Sequence, residues 1–105
     1  VIFSDESYLT NIGDNAFSFC RNLESIIIPK SVKSIGDYSF YKCEKLKSVI
    51  FSNESSVTKI GNNAFSFCSN LESIIIPRFV ESISDNTFHK CEKLKFVFFF
   101  QINIL

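Results

Sequence analysis

The chain has no methionine, no tryptophan, one histidine, three glycines and no excess of either charge sign. Each shortage excludes a class of function. Lysine plus arginine equals aspartate plus glutamate, so the formal net charge is zero, which argues against a partner recognised mainly through charge, such as a nucleic acid or an anionic membrane. The lysines also fall in interrupted spots. Lys42 and Lys45, and again Lys90 and Lys93, sit beside Glu44 and Glu92, and their counterparts one repeat away are Phe19 with Asn22 and Phe67 with Asn70. No apolar run approaches the roughly 20 residues of a membrane-spanning helix; Phe96-Val97-Phe98-Phe99-Phe100 is the nearest and Gln101 interrupts it. Residue 1 is not Met, and Val1 to Glu6 lacks a basic, then apolar, leader, so the chain reads as a segment of something larger.

What is present is repetition. Ile12-Gly13-Asp14-Asn15-Ala16-Phe17 recurs as Ile35-Gly36-Asp37-Tyr38-Ser39-Phe40, Ile60-Gly61-Asn62-Asn63-Ala64-Phe65 and Ile83-Ser84-Asp85-Asn86-Thr87-Phe88, at steps of 23, 25 and 23 residues. Cys20, Cys43, Cys68 and Cys91 keep the same steps, as do Leu23, Leu46, Leu71 and Leu94. Residues 1–48 also match 49–96 at 34 of 48 positions. Two copies that alike leave little room for a unique catalytic constellation. The chain is read as one domain, residues 1–105, with repeats near 9–31, 32–56, 57–79 and 80–105 and the strand of a preceding repeat at 1–4.

Within a repeat, Leu23-Glu24-Ser25-Ile26-Ile27-Ile28 is a β-branched run closed by Pro29, which has no N–H for a ladder. Val32 and Ile35 supply further inward anchors. Gly36 is read as a tight turn, Asp37 as the N-cap of a turn or short helix, and Phe40 and Cys43 as sharing one helical face. One unit alone leaves its strand edges unpaired and buries too little to offset a backbone entropy cost of about 1–2 kcal/mol per residue. Stacked copies pair their strands and cover each other's apolar seam, which predicts an α/β solenoid of parallel strands with short helices or turns.

The recurring Leu-x-x-Ile-x-Ile-Pro, Val-x-x-Ile-Gly and Ala-Phe-x-x-Cys segments, fullest in Leu71 to Pro77 and Ile60 to Cys68, resemble the BspA-like leucine-rich repeats, the Treponema pallidum type. Ser84, Ser39, Thr87, Phe51 with Ser52, and Phe99 with Phe100 depart from the pattern. The resemblance implies a right-handed leucine-rich repeat solenoid in cell-surface or extracellular proteins of bacteria and parasitic protozoa, used to bind host matrix proteins or other cells.

Candidate chemistry is sparse. No two cysteines lie at metal-ligand spacing. A disulfide between neighbouring rungs is geometrically conceivable, but each Cys falls at an inward position beside a Phe and is read as a buried free thiol. His89 aligns with Ser18, Tyr41 and Ser66, a tolerant position, and Gly13, Gly36 and Gly61 have no phosphate-cradling loop around them. Neither a catalytic residue nor a metal, cofactor or small-molecule substrate is expected. Asn53-Glu54-Ser55 forms an N-glycosylation triplet.

The strand's outward face is more informative. With Leu23, Ile26 and Ile28 inward, Ile2, Ile27, Ile50, Ile75 and Phe98 line up outward, flanked by Ser25, Ser48, Ser73 and Phe96. A continuous apolar ladder on an exposed sheet marks an interaction surface, so a protein-binding module is expected, with Phe19, Arg21, Tyr41 and Phe67 forming a competing surface at the opposite corner. The alternative is self-assembly. The repeat loses register after Val97-Phe98-Phe99 without a polar capping repeat, so Phe98, Phe99, Phe100, Ile102 and Ile104 could form a homodimer seam.

Overall fold

The computed structural model describes residues 8–100. Seven strands, β1 (Asn11–Ile12), β2 (Ser25–Ile28), β3 (Ser34–Ile35), β4 (Ser48–Phe51), β5 (Lys59–Ile60), β6 (Ser73–Ile76) and β7 (Phe96–Phe99), follow one another along a coil of rungs. Every paired set is parallel, and the pairing register equals the sequence repeat: Ser25 opposite Ser48, Ser73 opposite Phe96, Asn11 opposite Ser34, Ser34 opposite Lys59. The short strands form one sheet in the order β1-β3-β5, and the long ones form the pairs β2-β4 and β6-β7. This is the solenoid expected from the repeat. The strand expected at residues 1–4 falls outside the described residues.

The core is a set of columns running through the stack. Phe17, Phe40, Phe65 and Phe88 lie ring over ring, with centroids 5.3, 5.2 and 5.7 Å apart and planes within 8°. That spacing slightly exceeds the ~4.8 Å between strands, so identical residues stack face to face because the backbone puts them there. Ile26, Ile28, Val32, Ile35, Leu46, Leu71 and Ile76 fill the interior beside them. Asp14 and Asp37 form a polar column. The Asp14 carboxylate accepts from the Asp37 amide, and the Asp37 carboxylate accepts from the Asn62 amide, both at 2.8 Å.

Two local readings are corrected. No helix forms among the described residues; the segments read as short helices are chains of turns. In the first rung the amides of Ala16, Ser18 and Cys20 donate to the carbonyls three residues back. Those between them, Asn15, Phe17 and Phe19, donate instead to Asp37, Ser39 and Tyr41 of the next rung. Alternating the partners in this way bars a helix, in which every amide points along one axis. The alternation holds Asn15, Phe19, Tyr38, Lys42, Asn63, Phe67 and Lys90 at positive φ between 56° and 62°, a strained region for residues other than glycine. The inter-rung bonds compensate. Phe40 and Cys43 are both buried, but as neighbours in this turn chain, and Asp37 caps the next rung and not a helix of its own.

The glycines are the second correction, since none has positive φ. A Cβ on Gly36 would stand 2.5 Å from the Asp14 carboxylate and 2.6 Å from its backbone nitrogen, and Gly61 is equally tight against Asp37. Glycine is there for close approach between rungs. Ser84 stands at this position in the fourth rung, and there the short-strand ladder stops: Ile83 and Ser84 pair with nothing in the sheet that ends at β5.

Candidate protein-interaction surface

The alternation of β2, β4 and β6 positions their side chains. Ile26, Ile28, Val49, Ile74 and Ile76 point inward and are buried, whereas Ile27, Ile50 and Ile75 stand outward, 51, 51 and 56% exposed. Phe98 extends the row on β7, and Phe96 beside it is also exposed, its ring stacked on Phe98 at 5.6 Å. Ser25 and Ser73 are exposed, and Ser48 is half-buried. Of the residues read as the ladder, all but Ile2, which lies outside the described residues, fall on one face.

The face is not continuous. β4 and β6 lie side by side without pairing, so the long-strand sheet is interrupted between them. Two extra residues fall in the corner after β4, where Phe51-Ser52 replaces the Ile28-Pro29 and Ile76-Pro77 of the flanking rungs. Phe51 is bulkier than the isoleucine and only half-buried. Between β4 and β6 lies a slot of about 370 Å³, whose apolar lining is Val49, Ile50, Phe51, Ile75, Pro77 and Phe100.

At the C-terminal end β7 has a partner on one side alone, among the described residues. Phe99, at a position where Ile28 and Ile76 are fully buried, is 45% exposed, and Phe100 is half-buried with its amide donating to the Ile76 carbonyl at 2.8 Å. Ile102 and Ile104, read as part of a dimer seam, lie outside the described residues.

At the opposite corner, Phe19, Tyr41, Phe67 and His89 make an edge-to-face row at 5.6–5.8 Å. The Lys42 ammonium sits over Phe19, Tyr41 and Phe67 at 5.3–5.5 Å, cation–π contacts that hold its charge against the surface. Asn53 is exposed in a turn, while Ser55 of the same triplet is buried, its hydroxyl accepting from the Val57 amide at 3.2 Å.

The four cysteines are free thiols. Cys43, Cys68 and Cys91 donate to the carbonyls of Phe17, Phe40 and Phe65, one rung back, at 3.0–3.2 Å. Burial pushes the Cys43 and Cys91 thiols from an ordinary 9.0 up to about 11, and Cys68 is driven higher still. Such thiols are poor nucleophiles, because the thiolate reacts. Below pH 9 folded and unfolded chains alike keep these protons. Between pH 9 and 11 the unfolded chain releases them first, so unfolding becomes easier as pH rises. Urea midpoints are expected to fall over that interval, and a Cys43→Ala, Cys91→Ala variant should show a shallower fall. An identical slope in the variant would count against this assignment.

Residues 2–104 match the family model of the BspA type leucine rich repeat region, in six copies. A leucine rich cell surface protein of Faecalibacterium prausnitzii superposes with a TM-score of 0.65 at 32% identity, over 87% of this chain and 31% of that one. A leucine rich repeat protein of T. pallidum superposes at 0.60 with 24% identity, over 85% of this chain and 51% of the other, and speaks to the fold alone. The chain thus spans about a third and a half of these two structures. No curated protein matches it.

Proposed function

Since the chain belongs to the BspA-type leucine-rich repeat family, we propose that it is a non-catalytic protein-binding module of a cell-surface protein, adhering to host matrix proteins or cells through the outward sheet face. The observation that carries the reading is the row of Ile27, Ile50, Ile75 and Phe98, each more than half exposed on rigid strands. Isolated exposed aliphatics need no explanation, but four apolar side chains aligned on one face are costly in water and are a feature of interaction sites. The name of the F. prausnitzii protein, a cell surface protein, supports the localisation. Among the described residues no helix is long and apolar enough to cross a membrane.

Ile50→Asp together with Ile75→Asp is expected to lower binding to a panel of immobilised matrix proteins at least tenfold, a loss of about 1.4 kcal/mol. Both side chains point to solvent, so the circular dichroism spectrum and urea midpoint should hold. Undiminished binding by the folded variant would exclude this face.

A second reading rests on the C-terminal end, where Phe96, Phe98 and Phe99 are exposed together. An open strand edge with apolar flanks pairs readily with another copy. Light scattering is expected to report a dimer, abolished by Phe98→Asp with Phe100→Asp. A monomer at high micromolar concentration removes it.

A further inference from the structure

We infer that the slot between β4 and β6 is the specificity subsite of this face, taking an extended peptide with alternate aliphatic side chains and an acidic group at the Arg78 end. The inference rests on the protein-binding reading and assigns it a partner chemistry. Elsewhere the outward row offers side chains on a closed ladder, with no depth. Here the sheet is open, and its volume of about 370 Å³ falls at the lower end of ligand pockets, roughly 300–1,000 Å³. It has room for side chains, not for a folded domain.

The lining selects the occupant. Its floor is apolar, and Ser48, Ser52, Asn53 and Ser73 on its walls offer hydrogen bonds to a peptide backbone. A strand cannot intercalate. β4 and β6 approach within 8 Å between Cα atoms, and a strand between them would need two inter-strand spacings, about 9.6 Å. The ligand therefore lies over the slot along the strand direction. In an extended chain every second side chain faces the same way, so two aliphatic residues separated by one enter the slot while the residue between them faces solvent.

Charge sets the orientation. Among the described residues the slot is lined by two cations, Lys47 where the strands begin and Arg78 just past the end of β6, and by no carboxylate. Lys47 already has the Glu24 carboxylate at 3.9 Å. Arg78 has no carboxylate partner among the described residues; its guanidinium rests on the Phe79 ring at 4.8 Å, and the side chain is exposed to solvent. A guanidinium in this state is suited to a carboxylate, which it can bind through two parallel N–H···O bonds. The acidic group of the ligand belongs at that end.

The test uses the full chain labelled with ¹⁵N and an acetylated, amidated hexapeptide of alternating serine and isoleucine ending in two aspartates. Titration is expected to shift the amides of Ile50, Phe51, Ile75, Arg78 and Phe100 together. The same peptide ending in two asparagines, or the Arg78→Glu variant, should bind about tenfold more weakly, as for loss of a charge-assisted contact. No shifts at the slot with either peptide overturns the inference, as does equal binding of the aspartate and asparagine forms. Shifts with sodium laurate but not with the peptide would make the slot a site for anionic amphiphiles and also overturn it. If Ile50→Asp with Ile75→Asp abolishes matrix binding while the peptide leaves the slot unmoved, the face reading stands and this one fails.

Discussion

Phe40→Ala is expected to remove about 3–5 kcal/mol of stability. The ring has no solvent exposure and is stacked on both sides, against Phe17 at 5.3 Å and Phe65 at 5.2 Å. Its loss forfeits the transfer free energy of the ring, leaves a cavity that neighbouring rungs cannot close, and breaks two aromatic contacts worth about 0.5–1.5 kcal/mol each. A chain of this size has a total stability of roughly 5–15 kcal/mol. Because each rung of a solenoid touches only its neighbours, the damage should separate the stack into halves. Urea unfolding is expected to become broader as well as earlier. Phe88→Ala, at the partly exposed end of the column with one stacked neighbour, should cost markedly less. Equal losses at the two positions would show that the column does not act as a stack.

Gly61→Ala should cost about 1–3 kcal/mol, whereas Gly13→Ala is expected to be neutral or to gain about 0.4–1 kcal/mol by restricting the unfolded chain. The two glycines occupy the same repeat position and neither has positive φ, so the difference isolates the close approach. A methyl group on Gly61 meets the Asp37 amide nitrogen and carboxylate oxygen at 2.5 Å and the Gly36 carbonyl carbon at 2.6 Å, while one on Gly13 meets nothing within 4 Å among the described residues. Most of the atoms in the way are backbone, so the rungs must separate. That separation costs the bond from the Gly61 amide to the Ile35 carbonyl, at 2.8 Å, and the Asn62 amide's bond to Asp37. Hydrogen exchange should therefore accelerate at Gly61 and Asn62 in the variant. The chain already carries a parallel case in Ser84, where the short-strand ladder ends and Ser84 and Thr87 hydroxyls lie 3.0 Å apart. Unchanged stability and exchange in Gly61→Ala would refute the packing argument.

Much of this was legible in the residues because a repeat protein writes each rule several times. The Phe, Cys and Leu columns, the inward and outward alternation of Ser25 to Ile28, and the strand closed by Pro29 all follow from local patterns recurring at one step. Ser39 shows the limit of reading a column by analogy. It stands where the flanking rungs have Ala16 and Ala64, and its hydroxyl is buried without a partner among the described residues, a loss of about 1–3 kcal/mol relative to a satisfied group. Whether short helices or turns join the strands was not legible for a different reason. Asn15 and Asn63 tolerate positive φ, but nothing local marks Phe19, Lys42 or Phe67 for it. They take it because half of their turn amides are claimed by the next rung.

From the sequence alone followed the family of fold, the direction in which copies stack and the identity of the apolar row, since these depend on side-chain period and on like residues meeting like. The tertiary structure decided what depends on distances between rungs: turns in place of helices, glycines selected for contact, and a sheet opened between β4 and β6. Those features depend on which backbone groups of one rung reach the next, and only the packed stack fixes those distances.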